Sequence, residues 1–307
     1  MKQEEDTWGW MLAVDFFFAG MGGGMLLIAG VMELFLGEGR TSILGNFAGA
    51  LFIAIGASFL ILELGRPLHA WRVFLNPKAI LTIGAWNMLL AIGAGLIYAS
   101  FDITALPWSG WIAVRKIFAL GCVIFGLIVA TYPGILLGGH KSRPFWTGPG
   151  MMIVFLVSSL VTGAAAHLFL GLILPPSQLE VMNALPKLIA GLLGFQLLVW
   201  AGYMWVKRSG TTQREALAVQ RWINGDLAST FWGGIIFIGS ALPLILVLLP
   251  VAFFQGGAAF LVLVGGLWLR LTVVRSGEDR TWLPGEEKYR SRLPLGDEAF
   301  LNAWKSK

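Results

Sequence analysis

The sequence predicts an all-α, polytopic membrane protein with eight transmembrane helices, on three observations. Hydrophobic residues make up 57% of the 307 and charged residues only 13%. Mean hydropathy is +0.76, far from the average of soluble globular chains. The apolar residues gather in eight segments, roughly 9–36, 43–64, 79–100, 112–138, 148–174, 183–206, 228–249 and 252–274. Each is about as long as the ~20 residues that carry a helix across the bilayer core. Polar connections between them are short, so no sizeable soluble domain is expected. Eight helices can pack as two groups of four. The expected organisation is one membrane domain over residues 1–275, followed by a charged, proline-punctuated surface tail over 276–307.

The first segment, WGWMLAVDFFFAGMGGGMLLIAG, is unusual in two ways. Its acidic leader MKQEEDT and its length are unlike a cleavable signal, so it is expected to remain as a helix. Asp15 lies about 10 Å inside its start at ~1.5 Å rise per residue. A carboxylate at that depth is costly to bury and faces a partner or a polar cavity, unless it snorkels to the interface. Gly20, Gly22, Gly23 and Gly24 follow, offering a smooth face to another helix or to a flat ligand. For the glycines alone, helix packing is the plainer account.

The second segment ends at LELGRP, where Pro67 makes a natural stop. Glu63 and Arg66, three apart, share a helix face and can pair. His69 belongs to the mixed aromatic and basic loop that follows. The third segment carries Asn87 and exits through Asp102. The fourth opens with Arg115 and Lys116 and closes on TYPGILLGG, with Tyr132 and Pro133 in its last turns. Because alternate helices run in opposite directions, Tyr132 returns to about the depth of Asp15, and Glu63 and Arg66 return to the same side of the membrane. Polar groups supplied by separate helices to an apolar cavity are the usual form of a ligand site. The second half holds His167 and Gln196 but is otherwise poor in ionisable groups and reads as scaffold.

Charge placement sets the expected orientation. Loops on the side of the N-terminus and the tail carry 17 Lys and Arg, the opposite loops carry 4, and Arg270 lies inside the last segment. The positive-inside rule then places both termini in the cytoplasm of a prokaryotic inner membrane. Charge spread over loops in this way is a poor match to nucleic acid.

Several chemistries are excluded by residue inventory. Three histidines, of which only His167 falls within a helix, cannot make a four-histidine dihaem site and are poorly placed for a single haem. Cys122, the only cysteine, excludes an intrachain disulfide and any thiolate iron–sulfur or zinc site made by this chain alone. No metal-ligand motif, P-loop or nucleophilic triad is present, and GMGGG is embedded in an apolar helix rather than in a phosphate loop.

What remains is a set of proton donors and acceptors around an apolar slot: Asp15, Tyr132, Glu63 with Arg66, and His69. That set suits a quinol, whose oxidation releases two protons and two electrons. A protein of this kind carries no redox metal, so its electrons must leave to a partner. A proton-coupled secondary transporter using Asp15 and Glu63 is the alternative. Transporters often repeat their polar interruptions in both halves, whereas here the polar groups cluster in the first.

The runs DFFFAGMGGGMLL, LELGRP, TYPGILL with RPFW, and FWGGIIFIGSALPL with GGLWLRLTVVRSG, taken in order over nearly the whole chain, resemble the NrfD/PsrC family of polysulfide-reductase-type membrane subunits. The resemblance implies a haem-free eight-helix subunit that binds menaquinone or another quinone within its first four helices, here residues 1–145. It also implies a ferredoxin-like iron–sulfur partner subunit serving a molybdopterin catalytic subunit. Tyr132 matches the family's quinone-contacting tyrosine. Asp15 stands where the polysulfide-reductase branch has a histidine. Gly20, Gly23, Glu63, Arg66 and His69 complete the expected quinone-site residues.

Overall fold

In the computed structural model every regular element among the described residues is a helix. The described residues are 9–37, 43–63, 69, 71, 73, 80–140, 143–173, 179–210 and 213–278. The first six spans are α1 (Trp10–Leu36), α2 (Ile43–Glu63), α3 (Ile80–Ser100), α4 (Ile112–Gly138), α5 (Gly150–Ile173) and α6 (Leu179–Arg208). A short helix, α7 (Gln213–Ile223), precedes the seventh span, which is a π-helical segment (Thr230–Ala241) continuing as α8 (Leu242–Val247). The eighth is α9 (Ala252–Glu278). Eight helices are thus long and apolar enough to cross a membrane. The fold class agrees with the expectation, and so do the span positions to within a few residues.

The spans form two groups of four. α1–α4 pack around one interior, and α5, α6, the seventh span and α9 around another, with α1 and α4 bridging to α5 and α1 also meeting α9. α1 and α5 are the most enclosed, at 83% and 72% buried over their apolar stretches. The other first-group helices present much of their surface to lipid.

Three consecutive glycines explain how α1 can be central. Successive residues point about 100° apart around a helix, so Gly22, Gly23 and Gly24 face three different neighbours. A methyl group on Gly22 would strike the Gly49 carbonyl of α2, and one on Gly24 would strike the Ser159 carbonyl of α5. On Gly23 it would come within 2.9 Å of the Gly126 carbonyl of α4. Spanning helices gain little hydrophobic drive from meeting each other, since lipid is as apolar as leucine, so close backbone approach supplies the attraction.

Two features differ from the sequence-based expectation. α7 stands where a basic loop was expected: it is amphipathic and inserts Ala218, Val219 and Trp222 among Phe145, Trp200, Tyr203 and Phe231. The Phe145 and Trp222 rings stack with centroids 4.4 Å apart. The other is the π-helical run in the seventh span. There Gly239 lies directly on Gly265 of α9, and the Ser240 hydroxyl donates to the Ile235 carbonyl at 2.9 Å. α9 also runs to Glu278, past the expected boundary at 275, and the rest of the expected tail lies outside the described residues.

Candidate functional site

α1 starts at Gly9, whose N–H donates to the Glu63 carboxylate at 2.9 Å. A carboxylate at a helix N-terminus satisfies a donor that the helix leaves free and is favoured by the helix dipole. The end of α2 is thereby tied to the start of α1. Arg66, expected to pair with Glu63, lies outside the described residues. His69 is exposed on the same face.

One and a half turns into α1, Asp15 is completely buried. It points into the first four-helix group, with Gly56 of α2 lying flat against its backbone carbonyl and Ala19. Tyr132 of α4 is 4% exposed, and its ring lies where a side chain at Gly84 of α3 would otherwise be. All four helices of the group therefore shape this spot. Among the described residues neither Asp15 oxygen nor the Tyr132 hydroxyl has a hydrogen-bond partner. Buried polar atoms left without partners are rare in native proteins and mark a group waiting for a ligand, water or proton.

Asp15 of α1 and Tyr132 of α4 are thus both buried in the first four-helix group, and Glu63 lies at the start of α1. The structure does not bring Gly20 and Gly23 to them. Gly20 faces Ser159 of α5 and Arg270 of α9, and Gly23 is filled by α4. Both glycines are used for helix contact.

Two polar clusters were missed as clusters by sequence reading. At the opposite end of the first group, Arg115 of α4 bridges Glu33 of α1 at 2.9 Å and Asp102 at 3.2 Å. The Asn46 amide donates to Asp102 at 2.9 Å and the Tyr98 hydroxyl to Glu33 at 3.2 Å. All five side chains are buried. Glu33 follows Asp15 by five full turns, so the two carboxylates point into the same interior from opposite ends. Arg115 on a side poor in positive charge was the signal for this cluster. In the second group, Arg270 is fully buried and donates to the Ser158 hydroxyl, to the Ser159 hydroxyl at 3.2 Å and to the Gly266 carbonyl at 3.2 Å. Its guanidinium lies 5.6 Å from the centre of the Phe155 ring. A lone arginine in an apolar run was the available signal there.

Among the described residues no group of three or more His, Cys, Asp or Glu is placed to hold a metal ion.

Residues 1–279 match the family described as "Polysulphide reductase, NrfD". This protein is 27% identical to one of the component chains of the polysulfide reductase of Wolinella succinogenes, over 89% of its own length and 94% of that protein. It is 23% identical to Protein NrfD of Escherichia coli over 54% of its length and 59% of that protein. One of the subunits of the selenate reductase of Mesobacillus selenatarsenatis is 22% identical over 78% of the present sequence and 66% of that protein. With a family match over almost its whole length and eight spans in the expected order, the chain belongs to the NrfD family of reductase membrane subunits.

Proposed function

We propose that this chain is the quinone-exchanging membrane subunit of a respiratory oxidoreductase complex, with Asp15 and Tyr132 as the groups that meet the quinone. The observation that supports the reading is a pair of buried polar side chains without hydrogen-bond partners among the described residues, Asp15 of α1 and Tyr132 of α4, in the first four-helix group. A carboxylate accepts a proton and a phenol donates a hydrogen bond, which are the two services a quinol oxygen needs as it is oxidised. Menaquinone or another quinone, when bound, supplies the two-electron, two-proton chemistry. With a quinol bound, Asp15 would accept one proton and pass it towards the Glu63 and His69 rim before accepting the second, while Tyr132 would orient the quinol oxygen by donating its hydroxyl hydrogen. The closed, apolar interior excludes bulk water, and burial strengthens both interactions. Glu63 and His69, on the same face, with Arg66 close in sequence, form the rim through which protons leave.

The electrons pass to a partner subunit, because a protein with a single cysteine builds no thiolate-bound cluster by itself; the family resemblance makes that partner a ferredoxin-like iron–sulfur subunit. The relatives are named as components of a polysulfide reductase and of a selenate reductase, which supports membership of a multi-subunit complex. The catalytic subunit of such a complex is, in this proposal, a molybdopterin enzyme. The transporter alternative is weakened by the interior between Asp15 and Glu33: α1 offers only apolar residues from Phe16 to Met32, so no carboxylate relay crosses the first group.

Tyr132→Phe and Asp15→Asn test the reading in the assembled complex. General acid–base groups contribute about 10²–10⁴-fold, so quinol turnover should fall by at least ~10-fold in each variant. Subunit assembly, followed by co-purification, should be intact. Full quinol activity in both variants places the site elsewhere.

A further inference from the structure

A second site lies on the other side of α1. Trp10 and Ala13 border a groove of about 350 Å³ that is also lined by Thr230, Trp268, Leu271 and Arg275. Ala13 and Asp15 are two residues apart and so point to nearly opposite faces of the helix; the groove is separate from the Asp15–Tyr132 site. Trp10 opens α1, Thr230 opens the seventh span and Arg275 falls in the last turn of α9, so three helix ends frame its mouth at one membrane face. Trp10 is 59% and Trp268 39% exposed, although both belong to spanning helices, so the groove is open on the outer surface of the helices.

Its polarity is graded with depth. Arg275 stands at the face, while Leu271 and Trp268 lie one and two turns deeper, about 10 Å at most along α9. A cation at the headgroup level, a hydroxyl beside it and aromatic and aliphatic walls beneath match the order of parts in a phospholipid. No acidic side chain lines the groove among the described residues; Asp226, beside the lining residue Leu227 and near Arg275, accepts its hydrogen bonds from Arg221. From this we infer that the groove is a binding site for one anionic phospholipid, with the phosphate on Arg275, the glycerol near Thr230 and the first acyl carbons against Trp268 and Leu271. Basic residues at this level attract anionic headgroups, and tryptophans at the interface hold the boundary between headgroup and acyl tail. The site stands independently of the quinone reading.

Native mass spectrometry of the delipidated full-length protein, titrated with phosphatidylglycerol or phosphatidylcholine, tests it. One phosphatidylglycerol should be retained about fivefold more strongly than phosphatidylcholine, the effect of one basic residue at an anionic lipid surface. Arg275→Gln should remove the preference and Arg275→Lys should keep most of it. Arg208→Gln, at an exposed basic residue outside the groove, should leave it unchanged. Equal retention of the two lipids by the unaltered protein overturns the inference, as does equal loss in Arg275→Gln and Arg208→Gln. Inorganic phosphate displacing the lipid at equal concentration would also overturn it, by showing that the apolar walls contribute nothing.

Discussion

At the scale of single residues, the buried charges divide into those that hold the fold and those left available. Arg115 is of the first kind: one guanidinium sits between two buried carboxylates, with Asn46 and Tyr98 supplying further hydrogen bonds. Removing it leaves Glu33 and Asp102 facing each other without a counter-charge. Breaking a buried ion pair by removing one partner costs about 3–5 kcal/mol, so Arg115→Gln should lower the unfolding temperature of the detergent-solubilised protein markedly. Glu33→Gln, Asp102→Asn and Arg115→Gln together should recover most of that loss, because no charge then stays uncompensated. An unchanged transition in the single variant would show that the cluster does not hold the helix ends. Asp15 is of the second kind, since no cation or donor among the described residues meets it. Its cost is borne by the fold, which is the usual mark of a functional group in a spanning helix.

At the scale of elements, α1 is a mast with three tight contacts at one level. The sign of a glycine substitution there depends on two opposing terms. Replacing Gly by Ala gains up to ~1 kcal/mol of helix propensity, whereas overpacking costs about 1–3 kcal/mol. At Gly24 the added methyl meets the backbone of α5, and Gly163 of α5 in turn lies on Gly24, so neither side can yield by a rotamer change. Gly24→Ala should therefore destabilise the protein in a thermal or denaturant melt. Gly194→Ala on α6, where nothing lies within 4 Å of the new methyl, should be neutral or mildly stabilising. Equal effects at the two positions would remove the packing role assigned to the glycine run.

At the scale of the whole molecule, the two four-helix groups differ in what they bury. The first holds Asp15 and Tyr132 at one end and the Arg115 cluster at the other, with an apolar middle. The second holds Arg270 among serines and an aromatic cluster closed by α7. Sidedness is a property of this whole and not of any one loop. Counted from the sequence and the expected alternation of the spans, 17 basic residues fall on the side of the N-terminus and 4 on the other, so that side, and the proposed quinone site near it, is expected to be cytoplasmic. A fusion after Lys307 should then give a fluorescent cytoplasmic reporter and silent alkaline phosphatase. Active phosphatase would put the tail and the site outside.

Length and direction of the spans were legible from the amino-acid order. A run of about 20 apolar residues spans a bilayer whatever it packs against, so the eight spans were legible. Their alternation fixed depth, which is why Asp15, Glu63 and Tyr132 could be assigned to one membrane face from the chain alone. Rotation about each helix axis emerged from the packing of the helices. Lipid and protein interior are both apolar, so a spanning helix carries little amphipathic pattern to say which side faces in. For that reason the partition of Gly22, Gly23 and Gly24 among three helices was not legible, nor the turning of Gly20 and Gly23 away from Asp15. The convergence of Glu33, Asp102 and Arg115 from distant segments and the groove beneath Arg275 also had to come from the packed structure. α7 is the exception that shows the reason: it is not a spanning helix, its pattern is amphipathic, and it was hidden only because its charges read as a loop.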